Sequence, residues 1–173
     1  MKIKFILLAM VVVSISFFLI GRGTAKDTAP LHPQTAENLS TAMHGEAFAY
    51  AKYLLFAQHA RQDGNTKLAT LFENTAKTER FEHFAEEAKV AGVVGSDADN
   101  LKDAIKGESY EYETMYPKFA EQAKQAGDST AANRFSEIRQ DEGKHRDAFK
   151  AALTSLEQKS ERQSMQTPAT SGH

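Results

Sequence analysis

The chain has 173 residues, 25% of them charged, and a formal net charge of −2, so it offers no basic field for nucleic acid. It contains no cysteine, which excludes disulfides, thiolate metal sites, a rubredoxin-type iron centre in this chain, thiol nucleophiles and lipid attachment at cysteine. Neither G-x-x-x-x-G-K-[ST] nor G-x-G-x-x-G occurs, so nucleotide binding is unsupported and any metal site must be built from Glu, Asp and His.

Lys2 and Lys4 precede an uncharged run from Phe5 to Ile20, followed by Gly21, Arg22, Gly23, Thr24 and Ala25. A basic start, an apolar stretch and small residues at a cleavage point predict a signal peptide over 1–25, and hence a periplasmic or other extracytoplasmic location. Left uncleaved, the same segment would be an N-terminal anchor, although its 16 apolar-run residues fall short of the roughly 20 that span a bilayer. Residues 26–34, with Pro30 and Pro33, read as a linker, and the polar 157–173 stretch reads as a disordered tail.

Between them lies one domain, 35–156, in which apolar residues recur at three and four. Breaks at Gly64-Asn65, at 92–99 and at Gly127-Asp128 divide it into helices over about 35–62, 66–90, 99–126 and 129–156. Four long helices with short connections predict an all-α four-helix bundle. The halves repeat: "NLSTAMHGEAFAY" (38–50) matches "NLKDAIKGESYEY" (100–112) at an offset of 62, and "FAQHARQDGN" (56–65) matches "FAEQAKQAGD" (119–128) at 63. Helix three therefore carries one extra residue near Pro117, to be absorbed either as a π-bulge or as a plain kink.

The inward stripe of each helix is apolar except at its middle, where glutamate intervenes: Glu46 in helix one, Glu79 in helix two, Glu108 and Glu111 in helix three, Glu142 in helix four. Buried carboxylates repel one another and cost several kcal/mol each unless cations compensate. Lys and Arg fall off these stripes, so a multivalent metal is the economical partner, and oxygen ligands with one or two imidazoles suit iron or manganese better than zinc. Glu142 and His145, three apart, share a helical face. One Glu from each of two helices with Glu-x-x-His from the others is the di-iron carboxylate arrangement. Helix two is ambiguous: Glu79 is followed by Glu82 at i+3 and His83 at i+4. The repeat at 63 puts Glu82 opposite His145, whereas the charge of an already acidic site favours His83. His44 falls off the stripe, and His32 and His59 read as solvated.

"GEAFAYAKY", "FENTAKTERFEH", "GESYEYETMYP" and "DEGKH" together resemble the di-iron domain of the rubrerythrin family, over nearly all of 35–156. The resemblance implies a ferritin-like antiparallel four-helix bundle with a long connection between two helical hairpins. It implies Glu79 and Glu142 as bridges between two iron ions (Fe2+/Fe3+, with manganese or a mixed pair as variants), Glu46, Glu108 and Glu111 as carboxylate ligands, and His83 and His145 as imidazole ligands. Glu111 is the carboxylate suited to shifting during turnover, and Tyr53 and Tyr116 match tyrosines that hydrogen-bond ligand carboxylates. The implied activity is reduction of hydrogen peroxide to water by a homodimer. Because the family's rubredoxin domain is missing, electrons must come from an external donor. The alternatives are ferroxidase-like iron handling or metal sequestration without peroxidase turnover, and a helical bundle whose site is vestigial.

Overall fold

The computed structural model describes residues 30–166, and the expected export segment at 1–25 lies outside them. The described residues form helices and connections without strands: α1 (Pro33–Gln62), α2 (Thr66–Thr78), α3 (Phe84–Ala91), α4 (Asp97–Tyr110), α5 (Tyr116–Ala126) and α6 (Ser129–Gln166). Two π turns, Glu79–His83 and Glu111–Met115, carry α2 into α3 and α4 into α5 without interruption. The described residues thus form four long helical rods, as the periodicity predicts, paired as two hairpins. None of these helices is long and apolar enough to cross a membrane.

Local chemistry sets the boundaries. Pro33 opens α1, where its missing N–H costs nothing, and His32 Nδ1 accepts from the Gln34 amide at 3.3 Å. The linker therefore ends two residues earlier than expected. Gly64 and Gly127 turn the chain between rods at φ of +74° and +86°, a region that penalises any side chain. Asn65 then caps α2 by accepting from the Leu68 amide at 3.3 Å. The second boundary differs from expectation. In place of a long connection there are five residues, Gly92–Ser96, because Gly92 stops α3 in the left-handed conformation and Ser96 already caps α4 by accepting from the Asp99 amide at 3.2 Å. α6 also runs ten residues past the predicted end, to Gln166. Glu, Gln, Lys and Arg are good helix formers, so this polar stretch continues as a solvated helix where composition alone suggested disorder.

Packing is confined to each hairpin. α1 lies on α2, on the first π turn and on α3; α6 lies on α4, on the second π turn and on α5; no rod of one hairpin touches a rod of the other. Among the described residues the buried apolar side chains are all alanines: Ala57, Ala60, Ala69, Ala76, Ala88 and Ala132. Small side chains let the paired rods approach closely and leave the larger apolar groups on open faces. The aromatic groups repeat across the halves. Tyr53, Phe56 and Phe72 pack with centroids 5.4–6.2 Å apart, and their counterparts Tyr116, Phe119 and Phe135 pack at 5.7–6.5 Å.

Candidate metal centre

Glu46 on α1 faces the first π turn, and one donor atom from each of Glu46, Glu79 and His83 lies within 4.8 Å of the others. His83 Nδ1 is 2.8 Å from Glu79 Oε2 and 3.9 Å from Glu46 Oε2. In the second hairpin Glu108, Glu142 and His145 form a matching trio, with His145 Nδ1 2.8 Å from Glu142 Oε2 and 3.8 Å from Glu108 Oε2. In each trio the carboxylates are half-buried and the imidazole is exposed. The structure therefore brings His83, not Glu82, to Glu79, and leaves Glu82 exposed outside the trio.

The π turn is the reason. In an ordinary helix i+3 and i+4 straddle the direction of residue i. An inserted residue widens the turn, so a histidine four positions on takes the place that a histidine three positions on takes in regular α6. The second π turn, Glu111–Met115, absorbs the extra residue of helix three, so the bulge forms where a plain kink was the alternative. There the Tyr116 amide bonds back to the Glu111 carbonyl. Pro117, next in line, has no N–H for Tyr112, and the Tyr112 carbonyl accepts instead from Arg139 Nε at 2.9 Å on α6. The guanidinium groups of Arg139 and Arg146 both lie over the Tyr112 ring, 4.7 and 4.6 Å from its centroid, and the ring sits directly against Gly143.

Burial and crowding shift the carboxyls upward. A hydrogen bond with the Glu79 carboxyl raises Glu46 above the usual range, with burial and the Glu79 charge adding and His83 opposing. Burial is the main cause for Glu108, followed by its hydrogen bond with Glu142. Glu111, the first residue of the second π turn, is raised by burial and then by the Glu142 charge. The Glu108 Oε2 atom is closed off from solvent without a hydrogen-bond partner. Tyr53 and Tyr116 are half-buried members of the aromatic groups, and among the described residues no carboxylate hydrogen-bonds either hydroxyl. Burial and the charges of Glu111, Glu142 and Glu108 raise the Tyr116 hydroxyl. Among the remaining histidines, His32 caps α1, His44 Nδ1 meets the Ser40 carbonyl at 2.6 Å, and His59 pairs with Asp63 at 3.4 Å.

One carboxylate stands outside the sequence-derived site. On a straight helix the inward face two turns past Glu79 falls on Glu86, which is exposed; the π turn shifts that face by one residue, to the half-buried Glu87. Its Oε2 is also closed off from solvent and unpartnered.

The family model described as Rubrerythrin matches residues 37–153. Rubrerythrin from Porphyromonas gingivalis is 34% identical over 136 residues, covering 72% of this chain and 68% of its own. Nigerythrin from Nitratidesulfovibrio vulgaris is 35% identical over 136 residues, covering 71% and 67%. A solved structure of nigerythrin in a partially reduced state is 32% identical, covers 79% of this chain and 73% of that one, and has a TM-score of 0.38. With its paired Glu–Glu–His trios on four long helices, the chain belongs to the rubrerythrin family.

Proposed function

We propose that this chain is a non-haem di-iron oxidoreductase that reduces hydrogen peroxide to water with two electrons from an external donor. The observation that carries the reading is the doubled Glu–Glu–His trio, with the same 2.8 Å imidazole–carboxylate approach in both hairpins. The donors fit iron: carboxylate oxygens and imidazoles without thiolate, with raised carboxyls and an orphaned buried oxygen on Glu108 that a cation would satisfy. Glu46, Glu79 and His83 would hold one iron, and Glu108, Glu111, Glu142 and His145 the other. Bound there, the iron pair supplies electrons and Lewis acidity toward a peroxide oxygen.

The chain's own residues do the rest. The carboxyls of Glu46, Glu108 and Glu111 hold protons more readily than free glutamates and release them as a cation binds. Glu111 sits at the start of a π turn, where the ladder is already irregular, and so is placed to follow a change in charge. Tyr116 keeps its hydroxyl proton beside Glu111 and Glu142.

The functional unit we infer is a homodimer in which each centre joins the first hairpin of one copy to the second hairpin of the other. A ferritin-like bundle needs a crossover along a whole rod, about 39 Å for a rod of 26 residues at the α-helical rise. Gly92–Ser96 reaches at most about 18 Å when fully extended. Exchange between copies removes the need for that crossover and covers the open apolar faces. The basic and apolar N-terminal segment supports placing this dimer outside the cytoplasm.

The test is anaerobic mixing of reduced, iron-loaded protein with one equivalent of peroxide. The reduced state should be oxidised, with much slower oxidation by dioxygen. If peroxide leaves the reduced protein unchanged, the peroxidase reading is lost. Many irons per chain, rather than two, would move the chain to iron storage.

A further inference from the structure

The two halves share Glu–Glu–His, but beyond that trio their carboxylates are placed differently. The second half adds Glu111, one turn past Glu108, and the offset of 62 puts Ala49 at the corresponding place in the first half. Two carboxylates and one imidazole leave a cation of the first half short of donors by one relative to its neighbour. Across the first hairpin, at the same offset that pairs His83 with His145, Glu87 stands where the second half has Phe149. Ala42, on the facing rod, corresponds to Ala104, which together with Phe149 lines the apolar cleft of the second hairpin.

Glu87 is thus a carboxylate in a position that its repeat fills with an aromatic ring. It lies four residues after His83 on the same helical face, and helical side chains lean toward the N-terminus, which aims it back at His83. Its Oε2 is closed off from solvent, and no side chain or backbone group donates to it. Such an atom costs free energy unless something satisfies it. Its charge reaches Glu46, whose carboxyl it helps to raise. The adjacent Glu86, by contrast, is exposed and pairs with Lys89 at 3.8 Å.

We propose that Glu87 is a further protein ligand of the metal centre, completing the half formed by Glu46, Glu79 and His83 as Glu111 completes the other. Its carboxylate lies outside the 4.8 Å trio and turns into the site when a cation arrives, so that each half presents three carboxylates and one imidazole. This rests on the metal-centre reading but not on peroxidase activity.

The test is calorimetric titration of metal-free, full-length protein with Co2+, followed also by the visible bands of the bound ion. Wild type should take up two equivalents per chain. Glu87→Gln should weaken one of them by about 10- to 100-fold, the size of effect seen for groups supporting a metal site, and leave the other intact. Glu111→Gln should weaken the other, and the double variant both. Glu86→Gln, which removes the same charge from the next residue, should match wild type. Helix content by circular dichroism and the melting temperature of the metal-free variants separate misfolding from lost ligation; metal-free Glu87→Gln should melt no lower than wild type. Unchanged binding in Glu87→Gln, or equal weakening of both equivalents, overturns the assignment of Glu87 alone. A wild type that binds no Co2+ overturns the metal centre and this ligand with it.

Discussion

Glu79 and His83 meet at 2.8 Å across a five-residue π turn, and Glu142 and His145 meet at the same distance across three residues of regular helix. Two different spacings in sequence therefore converge on one geometry, and the π turn makes up the difference. His83→Gln should lower the affinity for a divalent metal by at least the 10- to 100-fold that supporting groups alone are worth. Glu82→Gln, at an exposed position, should leave it within about twofold. Metal titration of the two variants decides, and loss of binding in the second alone would reverse the assignment.

The raised carboxyls set the pH behaviour of the metal-free protein. Glu46, Glu108 and Glu111 bind protons more tightly folded than unfolded, where the ordinary value is 4.5. Their contribution to stability is therefore fully present below 4.5 and is lost as pH rises through their higher folded values. His83 and His145 face these carboxylates and oppose the shift. Thermal melts of metal-free protein should show this contribution to stability falling as pH climbs above 4.5. Added metal should restore the loss, with the largest gain at the upper end. Stability that rises monotonically over that interval without metal would contradict the assigned shifts.

Gly143 is held to its identity by a ring. A Cβ at this position would lie 2.9 Å from Tyr112 Cε2 and 3.0 Å from Cδ2, and Arg139 and Arg146 both lie over the ring, so it cannot slide aside freely. Gly143→Ala should destabilise the protein by about 1–3 kcal/mol, the usual range for overpacking, despite the better helix propensity of alanine. Chemical denaturation of the variant would measure it, and a stabilised variant would mean that the ring has room.

Centres shared between copies predict complementation. Glu79→Gln damages the first hairpin and Glu142→Gln the second, so each homodimer has two damaged centres. In a mixed dimer with exchanged hairpins, one centre collects both substitutions and the other collects neither. Co-refolding the two variants in equal amounts should restore about a quarter of wild-type tight metal binding, because half the dimers are mixed and half their centres intact. No recovery would mean that each centre is built within one chain.

Much of this was readable beforehand. Apolar spacing and the glycine breaks located all four rods, and mid-stripe glutamates picked out Glu46, Glu79, Glu108 and Glu142 because a charge in an apolar stripe is conspicuous. The first π turn was not anticipated, although a signal existed: matching His83 with His145 returns the repeat offset from 63 to 62, which marks an extra residue in helix two. Glu87 is hidden for the same reason, since a straight helix would rotate Glu86 inward in its place. The short joint at Gly92–Ser96 was hidden by composition, because "GVVGSDAD" reads as a longer break until Ser96 and Asp99 are seen to form a cap. The helical tail to Gln166 shows that a polar, serine-rich stretch does not exclude helix.

The alanine-only interior carries a thermodynamic consequence. Neither hairpin contains a large, fully buried side chain, while Phe48 and Phe81 are 68% and 66% exposed on the first. A two-rod unit of this kind has too little apolar burial to offset its chain entropy. Folding and association then become a single equilibrium. The melting temperature should climb with protein concentration, and dilution should unfold the chain instead of releasing a stable monomer.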